Sequence, residues 1–467
     1  MKNKKTILIF LIIFAVPLIF AVSQTEVINF ILGWIDGEES VQDLFVSVEN
    51  YEVYEESHFG VNLGITAFAD EMEEAGIEIT REWIEWNKIE PINNQYDWTE
   101  MDEKVQAANN KGIEILGYFA FMPRWARNDN DLKCTTQQWK FPLDPCPILD
   151  WDDYTEFASN VAERYDGTNY ICGLNENEFC GEMKYIGMWN EVQGFAQMNA
   201  QEYEPWLIKG YQAVKQGNPN AQVLLGATHA PLDFPGAEGF IETMISDSDY
   251  NQYYDIFNFH IYQFDDSSVG DTINYIKDLM NDYAVDKPMW ITETAVSMIT
   301  VKCIGFAWQD TQAKGVIKRY VQALGNGVDK IFWFAFVGLP TEKEDSTGVV
   351  CGEPTNFIKG GLGWVYPKGL NLPIHEFHPR PAYWAYKNMT SKLAGFSSVK
   401  KINDTMYKFT VRGEDVYVLW CNDGSCVIPS EISGQVTVTD YLGNETIMDA
   451  NQITLTESPV FVEEIIT

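Results

Sequence analysis

The sequence predicts an α/β fold: a (β/α)8 TIM barrel with a small C-terminal β-sandwich domain. Two observations support this prediction. Between residues 59 and 395, eight short apolar runs alternate with helical stretches, as consecutive βα units require. After Gly395 the pattern changes to an alternation of apolar and polar residues, which is typical of antiparallel strands.

The eight apolar runs are dense enough in hydrophobic residues to suit parallel strands buried on both faces. They are Phe59–Leu63, Ile77–Arg81, Ile113–Tyr118, Lys184–Trp189, Val223–Gly226, Ile256–His260, Met289–Thr292 and Ile331–Phe334. The last barrel helix is predicted over Pro381–Leu393. A barrel of this kind typically needs about 250 residues, so the chain is long enough for a second domain.

The C-terminal domain is predicted to contain five strands. They are Met406–Val411, Val416–Trp420, Gln435–Tyr441, Ile453–Leu455 and Val460–Ile465. This places the catalytic barrel at residues 56–395 and the sandwich at residues 396–467. Residues 24–55 form an N-terminal extension, in which Asp43–Tyr54 could add a strand to the sandwich.

Residues 1–23 have the features of a signal peptide or an N-terminal anchor. Lysines at positions 2, 4 and 5 precede the apolar run Ile7–Val22, and small residues at Ala21 and Ser23 suit a cleavage site. A spanning helix needs roughly 20 residues, which favours a cleaved signal over a retained anchor. The protein is therefore expected to be secreted or extracytoplasmic.

The eight cysteines fit an exported protein, because disulfides persist outside the cytosol. Their order suggests four local pairs, although eight cysteines allow 105 pairings. The suggested pairs are Cys134–Cys146, Cys172–Cys180, Cys303–Cys351 and Cys421–Cys426. The spacings lack a tight zinc-binding pattern, and the chain's five histidines are scattered. Neither a metal nor a cofactor is expected, and a metal-dependent barrel hydrolase is a minor alternative.

The formal net charge of −36 excludes some partners. Such a surface repels nucleic acid and anionic lipid headgroups, so no membrane contact is expected beyond the N-terminal segment. It also disfavours polyuronate and sulfated substrates. Solubility is a sufficient explanation of the charge, and the oligomeric state does not follow from it.

Two glutamates lie at predicted strand ends, where a barrel of this kind carries its functional residues. Strand four ends in Trp189-Asn190-Glu191, and strand seven ends in Trp290-Ile-Thr-Glu293. One glutamate at such a position is often structural. A pair at the ends of strands four and seven, each with polar neighbours, indicates a functional site and not two structural glutamates.

Because Asn190-Glu191 follows strand four and Glu293 ends strand seven, the sequence resembles the clan A glycoside hydrolases, especially those of families 39 and 5. That clan carries its acid/base after strand four, usually as Asn-Glu, and its nucleophile at the end of strand seven. The similarity covers roughly residues 58–395. It includes Trp86-Asn-Lys-Ile-Glu-Pro91, Pro123-Arg-Trp125 and Pro381-Ala-Tyr-Trp-Ala-Tyr386, and the order of these motifs along the chain is more specific than each motif. The motif Asn-Glu-Val departs from the many relatives that have proline after the glutamate.

The resemblance implies a retaining O-glycosidase, with Glu191 as acid/base and Glu293 as nucleophile. Arg81 would hold the charge of Glu293, and Asn190 would bind the sugar 2-hydroxyl. Other predicted substrate-binding residues have narrower roles. His260 and Tyr262 would orient the nucleophile, Trp333 would form the floor of the cleaved subsite, Trp125 would stack on a sugar, and His229 would line the cleft. Core packing is the alternative for Trp333 and Trp125, and an internally hydrogen-bonded histidine is the alternative for His229.

The predicted function is hydrolysis of β-glycosidic bonds in a neutral poly- or oligosaccharide by double displacement. Two alternatives remain at this level. A transglycosylase would use the same residues, and the sequence does not separate the two reactions. A non-catalytic surface glycan-binding protein is the other alternative, and its usual mark would be the loss of one carboxylate.

Overall fold

The computed structural model of the chain describes residues 57–131, 146–167, 181–194, 197–231, 236–262, 266–296, 307–338, 362–364 and 377–465. All of them belong to one compact unit, Glu55–Thr467. The predictions for residues 1–23 and 24–55 concern parts of the chain outside these described residues.

A sheet of nine parallel strands forms the barrel. Its strands are β1 (Phe59–Asn62), β2 (Ile79–Glu85), β3 (Glu114–Ala120), β4 (Tyr185–Gly187), β5 (Gln222–Leu224), β6 (Thr228–His229), β7 (Phe257–Ile261), β8 (Met289–Thr294) and β9 (Lys330–Trp333). The order is β5-β4-β3-β2-β1-β9-β8-β7-β6. A parallel bridge joins Leu224 of β5 to Ile256, the residue before β7, and so closes the sheet into a barrel.

The eight predicted runs all overlap strands of this sheet, so the predicted barrel is confirmed. The fifth run corresponds to β5, after which the chain re-enters the sheet as β6. Most of the predicted strand boundaries differ from the observed ones by one or two residues, and one differs by more. The second strand was predicted to end at Arg81 but continues to Glu85, because the whole segment pairs with β3. Arg81 therefore lies inside the strand.

Helices follow the strands around the barrel. They are α1 (Ile65–Glu74), α2 (Trp86–Ile89), α3 (Thr99–Asn110), α4 (Trp151–Arg164), α5 (Ala200–Gly217), α6 (Ala237–Ser246), α7 (Ser248–Asn251), α8 (Asp266–Asp282), α9 (Ala307–Gly325) and α10 (Pro381–Leu393). The bounds of α10 are those predicted from the sequence. Pro381 occupies its first position, where the missing backbone N–H costs no hydrogen bond.

A layer of large side chains fills the barrel interior on the N-terminal side of the predicted site residues. The layer contains seven residues, which lie in the barrel strands or, for Ile256, directly before β7. They are Ile79, Leu116, Tyr185, Leu224, Ile256, Trp290 and Phe332. The space for Phe332 exists because β1 carries Gly60, where an added Cβ would lie 2.5 Å from the Phe332 ring. The interior is thus packed and supports the side chains above it.

Six antiparallel strands form a separate C-terminal sheet, which fits the predicted β-sandwich. They are β13 (Phe396–Asn403), β14 (Met406–Val411), β15 (Glu414–Leu419), β16 (Gln435–Asp440), β17 (Glu445–Asp449) and β18 (Val460–Glu464), in the order β13-β14-β15-β18-β16-β17. Three two-residue strands follow β9 in the sequence and form a separate small sheet. They are β10 (Val337–Gly338), β11 (Gly363–Trp364) and β12 (His378–Pro379).

The prediction for this domain missed both edge strands, β13 and β17. Their side chains are mostly exposed, so neither carries the apolar alternation that identifies a strand. Ile453–Leu455 was wrongly predicted as a strand. A 3₁₀ turn at Ala450–Gln452 takes the chain out of the ladder there, and Ile453 donates its N–H back to Ala450.

One of the predicted disulfides, Cys421–Cys426, is present in the C-terminal domain, with an S–S distance of 2.06 Å. Cys146 is also disulfide-bonded. The other five cysteines of the predicted pairs lie outside the described residues.

The C-terminal sheet and the barrel share one hydrophobic core. Tyr407 and Phe409 of β14, and Trp420 directly after β15, belong to the same buried cluster as Tyr320 and Leu324 of α9. The helix accommodates the sheet through Gly325, where an added Cβ would overlap the Tyr407 ring.

We therefore expect Gly325→Ala to destabilise the protein, although glycine in a helix is ordinarily the weaker residue. Replacing helical glycine by alanine gains roughly 0.5–1 kcal/mol, whereas overpacking a core costs about 1–3 kcal/mol. The matched control is Gly239→Ala in α6, where no atom lies within 4 Å of the added Cβ. Denaturant unfolding should show Gly325→Ala less stable than wild type and Gly239→Ala slightly more stable. Equal stabilisation by both would contradict a close contact at Tyr407.

Candidate active site

Arg81 lies at the centre of the candidate site. The side chain points into the barrel from β2 and is 1% exposed. Its Nη1 donates to Glu293 Oε1 at 2.5 Å, and its Nη2 donates to Asn190 Oδ1. The Tyr118 ring lies beneath the guanidinium, with 3.5 Å between Cζ and the ring centroid. One cation thus joins the ends of β4 and β8.

Asn62, the last residue of β1, fixes the position of Arg81. Its Oδ1 accepts a 2.9 Å hydrogen bond from Arg81 Nη1. Its Nδ2 donates to the backbone carbonyl of Thr292 at 2.9 Å and to that of Trp333 at 3.3 Å. Backbone carbonyls only accept, so the amide orientation is determined and Oδ1 must face the guanidinium.

A β-bulge in β8 places Glu293. Phe259 of β7 pairs with Ile291, but the next residue, His260, pairs with Glu293 and skips Thr292. Bulges near active sites re-aim side chains in this way. The carboxylate is buried, and each of its oxygens accepts from a different donor: Oε1 from Arg81 and Oε2 from the Tyr262 hydroxyl at 2.6 Å. Both donors stabilise the negative charge of the carboxylate.

Tyr262 remains protonated and able to donate this bond. Burial, together with the nearby carboxylates of Glu293 and Glu191, raises the pKa of the Tyr262 phenol well above its usual range. A neutral phenol beside a carboxylate is a hydrogen-bond donor. The hydrogen bond from the Tyr262 hydroxyl to Glu293 Oε2 is consistent with the predicted role of Tyr262 in orienting the nucleophile.

Glu191 is presented by an unusual backbone. Trp189 and Glu191 have positive φ angles of 79° and 42°, on either side of Asn190. Non-glycine residues rarely adopt this conformation, and strained residues of this kind are enriched at functional sites. The carboxyl is buried and faces two histidines: its Oε1 lies 2.9 Å from His260 Nδ1, and its Oε2 lies 3.7 Å from His229 Nε2.

The two carboxyls lie close together. One oxygen from Glu191, one from Glu293 and a ring nitrogen of His260 are all within 4.8 Å of one another. Retaining glycosidases have carboxyls about 5–5.5 Å apart, whereas inverting enzymes need about 6.5–9.5 Å to admit a water molecule. The spacing can support direct attack by one carboxylate while the other transfers a proton.

Both histidines of the site are neutral near pH 7. Complete burial, aided by the charge of Arg81, lowers the pKa of His260 well below its usual range. Burial lowers the pKa of His229 to about 4. Their contacts with Glu191 are therefore not ion pairs. His260 was predicted to orient the nucleophile, but its nearer carboxyl is Glu191, since Glu293 Oε2 lies 3.6 Å away.

The lowered pKa of His229 should make stability depend on pH. Between pH 6.5 and about 4 the unfolded chain binds a proton at this residue and the folded protein does not, so stability falls as the pH falls. In His229→Gln this contribution is absent. From pH 7 to pH 5 we expect wild type to lose about 2 kcal/mol more unfolding free energy than the variant. Urea titrations of both proteins measure the difference, and identical pH slopes would contradict a buried neutral His229.

The two tryptophans predicted to bind substrate differ in their exposure to solvent. Trp125 follows β3 in a 3₁₀ turn, is half-buried, and donates its indole N–H to the Glu90 carbonyl at 2.9 Å. Trp333 is completely buried in the large core cluster. The exposed ring face expected of a subsite floor is absent at Trp333. Its burial fits the alternative, core packing, because Trp333 at the end of β9 packs into this core cluster.

Sequence reasoning missed several residues of the site, namely Asn62, Tyr118, Asn258 and Thr292. Three of these are polar residues inside predicted buried strands, and such a residue needs a hydrogen-bond partner. That signal was available in the sequence. Tyr118 carried no such signal, since a tyrosine in a buried strand is ordinary.

Glu191, His260 and Glu293 also offer the atom types that bind metal ions. The Glu293 oxygens already accept from Arg81 and Tyr262. A cation bound there would meet the positive charge of Arg81 and would have to displace these donors. The arrangement suits proton transfer and nucleophilic attack better than metal binding.

Within the described residues, every helix is too short or too polar to span a bilayer.

Comparison with known proteins identifies the family. The family model described as "Glycosyl hydrolase catalytic core" matches residues 91–359, more than half of the chain. No curated protein matches the chain.

Three solved structures illustrate the similarity of fold. A family 39 glycoside hydrolase from Bacteroides cellulosilyticus WH2 has a TM-score of 0.60 at 15% identity, with 88% of this chain and 82% of that one covered. A family 30 endoxylanase from Clostridium papyrosolvens C71 has a TM-score of 0.54 at 13% identity, covering 88% and 97%. A conserved exported protein from Bacteroides fragilis has a TM-score of 0.58 at 12% identity, covering 87% and 97%.

Families 39 and 30 belong to clan A, so the predicted resemblance to clan A and to family 39 is confirmed for the fold. The barrel, the C-terminal sheet and the matched family model agree with one another. This protein belongs to the glycosyl hydrolase catalytic core family and is a glycoside hydrolase, an enzyme whose substrate is a carbohydrate.

Proposed function

We propose that the protein is a retaining glycoside hydrolase that cleaves β-glycosidic bonds in a neutral poly- or oligosaccharide, with Glu293 as nucleophile and Glu191 as acid/base. One observation carries the proposal: an oxygen of each carboxyl lies within 4.8 Å of the other. That separation leaves no room for the water molecule that an inverting enzyme places between its substrate and its base.

The contacts of the two carboxyls support different roles for them. Glu293 accepts from Arg81 and Tyr262, two donors that stabilise negative charge on the carboxylate and fix its orientation for attack. Glu191 lies beside two imidazoles that are neutral near pH 7, with His260 Nδ1 at 2.9 Å and His229 Nε2 at 3.7 Å. A nucleophile needs the first environment, and an acid needs the second.

In the first step, a Glu293 oxygen forms a bond to the anomeric carbon as the bond to the leaving oxygen breaks. Glu191 transfers its proton to that oxygen, which departs as an alcohol. The Asn190 amide is held by Arg81 through Oδ1, so its Nδ2 lies on the side away from Arg81. From there it would donate to the sugar 2-hydroxyl, a contact that strengthens in the transition state.

In the second step, the glycosyl ester of Glu293 is hydrolysed. Glu191, now ionised, takes a proton from water as the water oxygen bonds to the anomeric carbon and the ester bond breaks. Glu293 leaves as a carboxylate and returns to Arg81 and Tyr262. Two inversions restore the original configuration.

The site of action is proposed to be outside the cytoplasm. The N-terminal sequence has the pattern of an export signal, and two described cysteines are joined in the Cys421–Cys426 disulfide. Among proteins of similar fold is one named as exported. The net charge of −36 supports a neutral glycan as substrate, since an anionic one would be repelled.

The proposal is tested by incubating the enzyme with a panel of aryl β-glycosides and neutral polysaccharides and following the products by ¹H NMR. The first-formed hemiacetal is expected to have the β configuration. An α product appearing first would contradict double displacement. Transfer to added methanol or sugar acceptors measures transglycosylation in the same reaction.

A further inference from the structure

A chain of four side chains leads from a backbone carbonyl to Glu191. In order, it contains the Leu225 carbonyl, Asn258 of β7, Thr292 of β8, His260 of β7 and Glu191. Asn258, Thr292 and His260 are all buried, with exposures of 3%, 0% and 0%. Buried polar groups without partners are costly, so the direction of each hydrogen bond in this chain is constrained.

The Leu225 carbonyl sets the first direction. It can only accept, so the group 3.2 Å away must be the Asn258 amide nitrogen. The Asn258 Oδ1 then faces the Thr292 hydroxyl at 2.6 Å. An amide oxygen can only accept, so Thr292 donates its single proton to it.

The Thr292 hydroxyl sets the second direction. Its proton is committed to Asn258, so it must accept from His260 Nε2 at 3.2 Å. A neutral imidazole carries one proton, which is therefore on Nε2. The other ring nitrogen, Nδ1, presents a lone pair to Glu191 Oε1 at 2.9 Å. A lone pair and a carboxylate would repel at this distance, whereas a carboxylic acid would donate its proton.

We propose that Thr292 and Asn258 are positioning residues that lock His260 in its Nε2–H tautomer and thereby keep the proton on Glu191 until substrate arrives. This inference rests on the proposed role of Glu191 as acid/base. The tautomer itself follows from the hydrogen bonds and is independent of catalysis.

If His260 were a charged imidazolium, both ring nitrogens would donate, and Nδ1 would no longer present a lone pair to Glu191. Burial and the adjacent Arg81 act against that form by lowering the pKa of His260. The same lock serves the second half of the reaction. Once Glu191 has lost its proton, its carboxylate faces the His260 lone pair, which makes it a stronger base toward water.

Other titratable groups also act on Glu191 and must be constant in any test. They are His229 at the end of β6, Glu293 of β8, Arg81 of β2, Tyr262 after β7 and Tyr118 of β3. The test therefore uses variants that leave all five in place.

Thr292→Val replaces the hydroxyl by a methyl group of similar size. His260 then loses its acceptor at Nε2 and is free to carry the proton on Nδ1, from which it would stabilise the ionised form of Glu191. For a substrate with a poor leaving group, the alkaline limb of the kcat/KM profile should move down by about one pH unit. Thr292→Ser, which keeps the hydroxyl, should restore the wild-type limb.

Thr294→Val is the matched control. Thr294 is also buried on β8 and donates to a carbonyl, that of Ile261, at 2.8 Å, but it lies outside the chain to His260. The alkaline limb of the kcat/KM profile of Thr294→Val should lie at the same pH as that of wild type. A Thr292→Val limb at the wild-type position, or an equal shift in Thr294→Val, would overturn the proposal.

A second measurement does not depend on activity. The chain has five histidines, so ¹⁵N-histidine labelling gives few signals, and His260 is the one missing in His260→Gln. In wild type at neutral pH, Nε2 should be the protonated nitrogen and Nδ1 the unprotonated one. A protonated Nδ1 would overturn the tautomer lock even if Glu191 proves to be the acid/base. A correct tautomer with no effect of Glu191 on catalysis would instead refute the proposed function.

Discussion

Glu293→Gln is expected to lose activity on every substrate, by about 10⁴-fold or more, because an amide cannot form the glycosyl ester. The loss should be the same for good and poor leaving groups, since attack at the anomeric carbon is needed in both cases. The fold should survive, because Gln keeps the shape of the side chain and its contact with the Tyr262 hydroxyl.

The matched control is Glu82→Gln. Glu82 is a buried glutamate on β2, next to Arg81 in the sequence, but its carboxylate accepts the backbone N–H of Ile65 at 3.2 Å. It has no contact with the reacting groups described above, and its activity should stay near that of wild type. Comparable losses in Glu82→Gln and Glu293→Gln would indicate a structural effect and not a missing nucleophile.

Glu191→Ala should produce a loss that depends on the leaving group. An unactivated glycoside needs a proton on its leaving oxygen, so its cleavage should slow by about 10²–10⁴-fold. A dinitrophenyl glycoside needs little protonation, and its first step should proceed. The glycosyl-enzyme then accumulates because no base activates water.

Azide distinguishes the two glutamates. It needs no deprotonation, so it should accelerate turnover of Glu191→Ala and give a β-glycosyl azide. The opposite pattern would show that the roles are exchanged: azide rescuing a Glu293→Ala variant with inversion, while Glu191→Ala stays inactive. Wild-type activity in both alanine variants would place the active site elsewhere.

The barrel could be predicted from the sequence because its strands are buried on both faces. Runs such as Ile331–Phe334 contain apolar residues at every position, so a boundary error of a few residues does not hide the strand. Exposed edge strands lack that signal, and β13 and β17 were missed for this reason. Ile453–Leu455 shows the converse error, since an apolar pair can follow a 3₁₀ turn without entering a ladder.

The site could be predicted in part. Glu191 and Glu293 were identified because barrels carry their functional groups at strand ends, and Arg81 because of the family resemblance. The contacts between these residues depend on features with no sequence signature. The bulge at Thr292 and the left-handed backbone at Trp189 and Glu191 decide which atoms meet.

The choice of partner for His260 illustrates the same limit. The sequence predicted that it orients the nucleophile, whereas the geometry of its ring places Nδ1 2.9 Å from Glu191 Oε1. Trp333 was placed correctly at the end of a strand, yet its exposure depends on packing against neighbouring elements. Residue type and strand position identify the members of a site more readily than they identify its hydrogen bonds.

Covalent trapping tests the central claim most directly, namely that Glu293 attacks the sugar. A 2-deoxy-2-fluoro glycoside with a dinitrophenyl leaving group, matched to an accepted sugar, should inactivate the enzyme by one sugar mass. Peptide mass spectrometry should find that mass on Glu293. A label on Glu191, or rapid turnover to an inverted product without a label, would contradict the assignment of Glu293 as the nucleophile of a double displacement.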